Sequence, residues 1–148
     1  MPVPDDVRAL EGDLIALRRE IHQHPELAFA ETRTADRVAA LLEADGIAVR
    51  RGVGGTGVVA SLGAGGAGVL LRVDMDALPI QEASAAPYAS RVAGAMHACG
   101  HDGHVSMGVG AARLLARRRL PGAVRVLFQP AEEGEGGAQA VEIGRAHV

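Results

Sequence analysis

The chain is 148 residues long, enough for one domain with a real core and too short for a large two-domain enzyme. Apolar residues make up 48% of it and aromatic residues only 2%, so the core must be built from Ala, Val, Leu and Ile. A net charge of −3 speaks against a nucleic-acid or anionic-membrane partner, and a single cysteine excludes an internal disulfide framework.

Val7, Leu10, Leu14, Leu17 and Ile21 recur at steps of three and four, which predicts a helix with one buried stripe, closed by Pro25. Thr34, Val38, Leu41 and Leu42 predict a second helix, with Gly46 suited to the turn that ends it. "IAV" and "GVVASL" read as short strands joined through the turn "GVGGTG". That turn resembles a phosphate loop, but it leads into a strand and no Lys-Ser/Thr follows, so a nucleotide site is not expected. "GVLLRVDM", Gly68 to Met75, is a continuous apolar run ending in acids, the pattern of a strand buried on both faces. A polar, proline-interrupted loop follows. From His104 to Arg119 the spacing is helical again, with Met107, Ala111, Leu114 and Leu115 on one face, and "AVRVLF" is a further buried strand. Strands alternating with helices predict an α/β fold with a mostly parallel mixed sheet flanked by helices.

The chemistry-bearing loops leave the carboxyl ends of predicted strands, the edge where open α/β sheets place their ligands. "MHACGHDGH", Met96 to His104, holds three of the six histidines and the only cysteine. Cys99 and His101 are one residue apart, a spacing at which a thiolate and an imidazole can reach one ion; that donor pair suits Zn²⁺, with Mn²⁺ or Co²⁺ possible where carboxylates complete the shell. The bland alternative is a buried free cysteine beside a histidine bonded to backbone. Asp102 also has a plain use, as the N-cap of the next helix. Glu132 and Glu133 are adjacent in the loop after "AVRVLF"; in an extended segment they would point in opposite directions, one to bind metal and the other to handle a proton. Asp74 and Asp76 end the strand "VLLRVDMD", and Asp76 is the better candidate to orient a ligating histidine. His22 and His24 in "HQHPELAFAE" read as a packed turn rather than as ligands.

Together "HQHPELAFAET", "GVGGTGVVASL", "LLRVDMDALPI", "AGAMHACGHDGHVSMGVGAARLL" and "VRVLFQPAEEGEGGA" resemble the metal-dependent aminoacylase/carboxypeptidase superfamily. The branch they resemble contains hippurate hydrolases, N-acyl-amino-acid amidohydrolases and auxin–amino acid conjugate hydrolases. The resemblance implies two divalent ions, Zn or Mn with Co possible, bridged by Cys99, with His101 and Glu133 as further ligands. It implies that Glu132 is the general base, that Asp74 stands where related peptidases carry a ligating histidine, and that Asp76 keeps the orienting role. The substrate implied is a small N-acyl amino acid cleaved at its amide bond, by an enzyme whose full-length form is expected to be a homo-oligomer. The single cysteine and a start, "MPVPDDVRAL", without a charged segment followed by an apolar one predict a cytoplasmic setting.

The resemblance also implies two further histidines and a lid or dimerisation domain, expected to lie beyond these residues. Residues 1–142 are therefore expected to be the N-terminal part of a catalytic domain, inactive by itself, and residues 143–148, "IGRAHV", a non-native tail encoded by adapter sequence. That reading removes His147 from the candidate ligands. The competing readings are a dipeptidase or deacylase of the same superfamily, a cysteine hydrolase with Cys99 as nucleophile, and a non-catalytic metal-binding module.

Overall fold

A computed structural model describes residues 3–65, 68–134 and 136–145. The elements are α1 (Asp5–Arg8), α2 (Glu11–Gln23), α3 (Thr32–Ala44), β1 (Ala48–Val53), β2 (Gly57–Leu62), β3 (Val69–Asp74), α4 (His101–Ala116), β4 (Val124–Gln129) and α5 (Gly137–Arg145). The tail expected at 143–148 reaches past the described residues.

The four strands form one mixed sheet in the order β1-β2-β4-β3. Side chains alternate across it as a period of two requires. Val58, Ala60 and Leu62 of β2 and Val126 and Phe128 of β4 face the main core with Val38, Leu42, Val105 and Val109 of α3 and α4. Val59 and Leu127 face the other way, where Val141 of α5 and Val53 pack with them. Aromatic content is low, yet Phe128 is wholly buried at the centre. Full burial of such a side chain contributes about 3 kcal/mol.

The sheet is flanked by helices as predicted, but among the described strands its parallel character is confined to one pair. β3 and β4 run parallel, whereas β1·β2 and β2·β4 are antiparallel. The reason is local: β1 and β2 are joined by a tight turn, and only the β3–α4–β4 passage carries a helix that returns the chain to the same edge. β3 lies at one edge of the sheet, and the expectation that it is buried on both faces holds only at its end. Val69, Leu70 and Leu71 are exposed, while Val73, Asp74 and Met75 are buried.

Helix α4 corrects a second expectation. It begins three residues earlier than its periodicity suggested, at His101, and buries Val105, Gly108, Val109 and Ala112 rather than the stripe through Met107, which is exposed. Gly108 explains the choice of face. A β-carbon there would lie 3.0 Å from Phe128 and from Val73, so only glycine lets the helix sit this close to the sheet. The first predicted helix is likewise broken at its start into α1 and α2. No helix among the described residues is long and apolar enough to cross a membrane.

Candidate metal centre

The parallel pair decides where the chemistry gathers. Asp74 stands opposite Gln129 in the β3·β4 register, and Met75 N–H continues the ladder to the Gln129 carbonyl at 3.1 Å. The segments that follow the two strands therefore leave side by side, and α4 begins at that same edge. Gly100, at φ 84°, takes the left-handed conformation that turns the chain from the Cys99 loop into the helix. Local sequence supplies the ends; the parallel register brings them together.

His101 is the hub. Its Nδ1 lies 2.8 Å from the Asp76 main-chain carbonyl and 3.3 Å from Asp76 Oδ1. The carbonyl is the aligned acceptor, and Oδ1 is left buried without a hydrogen-bond partner. With Nδ1 carrying the proton, Nε2 faces Asp74 Oδ1 at 3.5 Å, Glu133 Oε1 at 3.7 Å and Glu132 Oε2 at 3.8 Å. Cys99, His101 and Glu133 each present a donor atom within 4.8 Å of the others. So does a second trio, Asp74, His101 and His104, in which His104 Nδ1 pairs with Asp74 Oδ1 at 2.6 Å.

Electrostatics follow from four carboxylates around two imidazoles. Burial disfavours a charged His101 ring, but Asp76 and Asp74 outweigh it and push its pKa up to about 9. Burial likewise opposes the charge on Asp76, yet the His101 ring and the Glu133 N–H hold its carboxyl below the usual range. The Glu133 carboxylate, through a hydrogen bond, raises the Cys99 thiol, and partial desolvation and the neighbouring acids add to it. Without a cation, His101 and Cys99 therefore hold their protons while Asp76 stays ionised.

Each residue singled out from sequence can now be placed. Cys99, His101 and Glu133 converge. Asp76 touches His101 and, through Oδ2, accepts the Glu133 N–H at 3.0 Å. Glu132 is at the same nitrogen of His101, so the two glutamates do not diverge as an extended segment would make them. Gly134 N–H folds back onto the Glu132 carbonyl at 2.7 Å, and this turn points both carboxylates inward. Asp102 is not an N-cap. Its buried carboxylate accepts from Arg18 at 3.1 Å and lies 2.9 Å from His22 Nδ1, tying α2 to α4. His22 lies inside α2 rather than in a turn, and His24 caps that helix with Nδ1 2.9 Å from the Glu20 carbonyl. His97, in the same loop as Cys99, is buried with both ring nitrogens unpartnered, and burial above all lowers its pKa to about 4.

Two residues and one contact escaped the sequence reading. Asp74 and His104 were each in view, but not their pairing; the spacing of His101 and His104, which share a helix face, was the one available signal that His104 joins the cluster. Arg72, which reaches Asp74 at 3.1 Å, and Glu31, whose carboxylate is wholly buried, gave no such signal.

Comparison with known proteins gives a consistent picture. Residues 70–146 match the model of peptidase family M20/M25/M40. The chain is 46% identical over 138 residues to a hippurate hydrolase of Campylobacter jejuni, a match covering 92% of this chain and 36% of that protein. It is 49% identical over 129 residues to the IAA-amino acid hydrolase ILR1-like 2 of Arabidopsis thaliana, covering 85% of this chain and 29% of the relative. Among solved structures it superposes on the Bacillus subtilis YXEP protein, described as a dinuclear metal-binding peptidase, with a TM-score of 0.89 and 43% identity over 94% of this chain and 40% of the other. The chain thus spans about a third of the length of the curated relatives it matches.

Proposed function

This chain belongs to peptidase family M20/M25/M40, and on that premise we propose that residues 1–142 are the N-terminal part of the catalytic domain of a metal-dependent amidohydrolase acting on N-acyl amino acids. The observation that carries the proposal is the convergence of Cys99, His101 and Glu133 within 4.8 Å at the carboxyl edge of the parallel strand pair.

The donor set fits a divalent cation. Thiolate, imidazole and carboxylate are the ligand types Zn²⁺ takes, and Glu133 Oε1 is buried without a hydrogen-bond partner. Cys99 Sγ, His101 Nε2 and a Glu133 carboxylate oxygen would hold the metal. When bound, the ions polarise the scissile carbonyl and acidify water at neutral pH. The chain's own residues do the rest. Asp76 fixes the His101 ring and pins the Glu133 backbone. Glu132 stands at the same edge with its carboxylate partly exposed, able to take a proton from the attacking water and return it to the leaving amine. The acyl group, the amino acid and the choice among Zn, Mn and Co are finer matters on which the hippurate and IAA-amino acid hydrolases provide the starting panel. The free thiol of Cys99 suits a reducing, cytoplasmic setting.

The test uses a polypeptide of the relatives' length that carries this sequence, assayed on N-acyl amino acids and dipeptides. Release of free amino acid that is stopped by a chelator, and abolished by Glu132→Gln with metal content unchanged, supports the proposal. Turnover that survives Glu132→Gln removes the base, and turnover blocked by thiol alkylation but indifferent to chelator replaces the reading with a cysteine hydrolase. The 148-residue chain alone is predicted to bind metal without turnover, because Cys99, His101 and Glu133, the ligands the resemblance implies, are too few to close two four-coordinate sites.

A further inference from the structure

The loop that carries Glu132 and Glu133 starts at Ala131, whose φ of 49° places a residue with a β-carbon in the left-handed region. Such a conformation persists only where its surroundings over-determine it. Ala131 is 1% exposed, and its N–H donates to Glu31 Oε1 at 2.8 Å, one hundred residues earlier in the chain. The other oxygen of that carboxylate accepts the Thr56 hydroxyl from the β1–β2 turn. On the far side the Ala131 carbonyl accepts the Gly137 N–H at the start of α5. The left-handed residue is therefore held from both directions.

Glu31 stands at the N-cap position of α3, yet its side chain makes no cap there. Glu26 does that work instead, accepting from Arg33 N–H at 3.0 Å and from Thr34 N–H at 2.8 Å. Glu31 is thereby released to turn inward, and it is wholly buried. Burying a carboxylate is unfavourable unless its oxygens are bonded. Here both oxygens are committed, one to the glutamate loop and one to the turn beside it, and neither to the helix it heads.

We propose that Glu31 is a positioning residue for the Glu132–Glu133 pair: by accepting the Ala131 N–H, its buried carboxylate fixes the left-handed turn from which both glutamates reach His101. This assignment rests on the reading of those glutamates as base and ligand. It also gives a use to two segments the chemistry had left unassigned, "HPELAFAET" and "GVGGTG", which together build the buried latch behind the loop.

The experiment has a metal arm and a metal-free arm, both on the 148-residue chain. In the first, Co²⁺ is titrated and the thiolate charge-transfer band followed. Glu31→Ala is expected to weaken Co²⁺ binding about tenfold or more, whereas Glu31→Gln, which keeps an acceptor oxygen for Ala131, stays within about threefold of the parent. In the second, amide exchange without metal is expected to speed up about tenfold at residues 131–134 in Glu31→Ala while β4 and α4 keep their protection. A folded Glu31→Ala chain with unchanged Co²⁺ affinity and unchanged exchange overturns the assignment. Faster exchange with unchanged Co²⁺ affinity also overturns it, because the latch would then be structural only. Where Glu31→Ala does not fold, Thr56→Val, which removes only the hydroxyl partner of Glu31, is read by the same two criteria. A parent chain that shows no thiolate band with Co²⁺ counts against the metal reading of the preceding section, and the exchange arm then decides alone whether Glu31 holds the turn.

Discussion

Asp76 and Glu133 are joined across the parallel strand pair by a single hydrogen bond, 3.0 Å from the Glu133 N–H to Asp76 Oδ2. The same residue receives His101 Nδ1 on its main-chain carbonyl at 2.8 Å, so one aspartate sets the spacing between two proposed ligands. Asp76→Ala is expected to lower the affinity of the chain for Co²⁺ by about 10- to 100-fold, the usual consequence of removing a partner that orients a ligand. The substitution leaves the main-chain carbonyl to His101 and removes the acceptor of the Glu133 N–H. Calorimetric titration checks the expected loss, and affinity unchanged in a folded variant would show that the ligands hold their places without the Asp76 carboxylate.

Cys99 is exposed, so its thiol adds little to packing. Cys99→Ser is expected to abolish the near-ultraviolet thiolate-to-cobalt band and to change unfolding free energy by no more than about 0.5 kcal/mol. A band that survives the substitution would place the ion elsewhere.

The raised pKa of His101, about 9 against an ordinary 6.5, gives two linked pH effects. Its folded-state value lies above the unfolded one, so the stabilisation it gives the metal-free chain is complete below the unfolded value and is lost as pH rises through about 9. Metal must displace the same proton, so affinity for Co²⁺ is expected to rise over that window, with proton release on binding. Tm measured against pH with and without Co²⁺ checks both signs: the metal-free curve falls relative to His101→Gln, and the gap between the two parent curves widens. An affinity independent of pH from 6.5 to 9 would contradict a protonated His101.

Phe128 fills the centre of the core against Gly108, under the helix that begins with His101. Phe128→Ala is expected to cost about 3–5 kcal/mol of stability through the cavity it leaves. Denaturant unfolding measures this directly, and a loss below about 1 kcal/mol would mean the sheet and α4 can close the gap.

Much of this protein could be read from the sequence by itself. Periodicity located α2, α3 and the short strands, because an apolar stripe at 3.6 or 2 residues is a local property of the chain. Cys99, His101, Glu132, Glu133 and Asp76 could be singled out because their chemistry is local too: donor types at close spacing, in loops that follow apolar runs.

What only the tertiary structure decided were relations between segments far apart in the chain. Which face of α4 is buried depended on Phe128 and Val73 meeting Gly108, not on the helix's own pattern. The exposure of Val69 to Leu71 depended on β3 lying at the sheet edge rather than on its composition. The placing of Asp102 between Arg18 and His22 and the hydrogen bond of Glu31 to Ala131 come from contacts spanning 80 residues or more. A hydrogen bond needs atoms within about 3 Å whatever their separation in sequence, and spacing along the chain carries no record of that distance until the sheet register has set it.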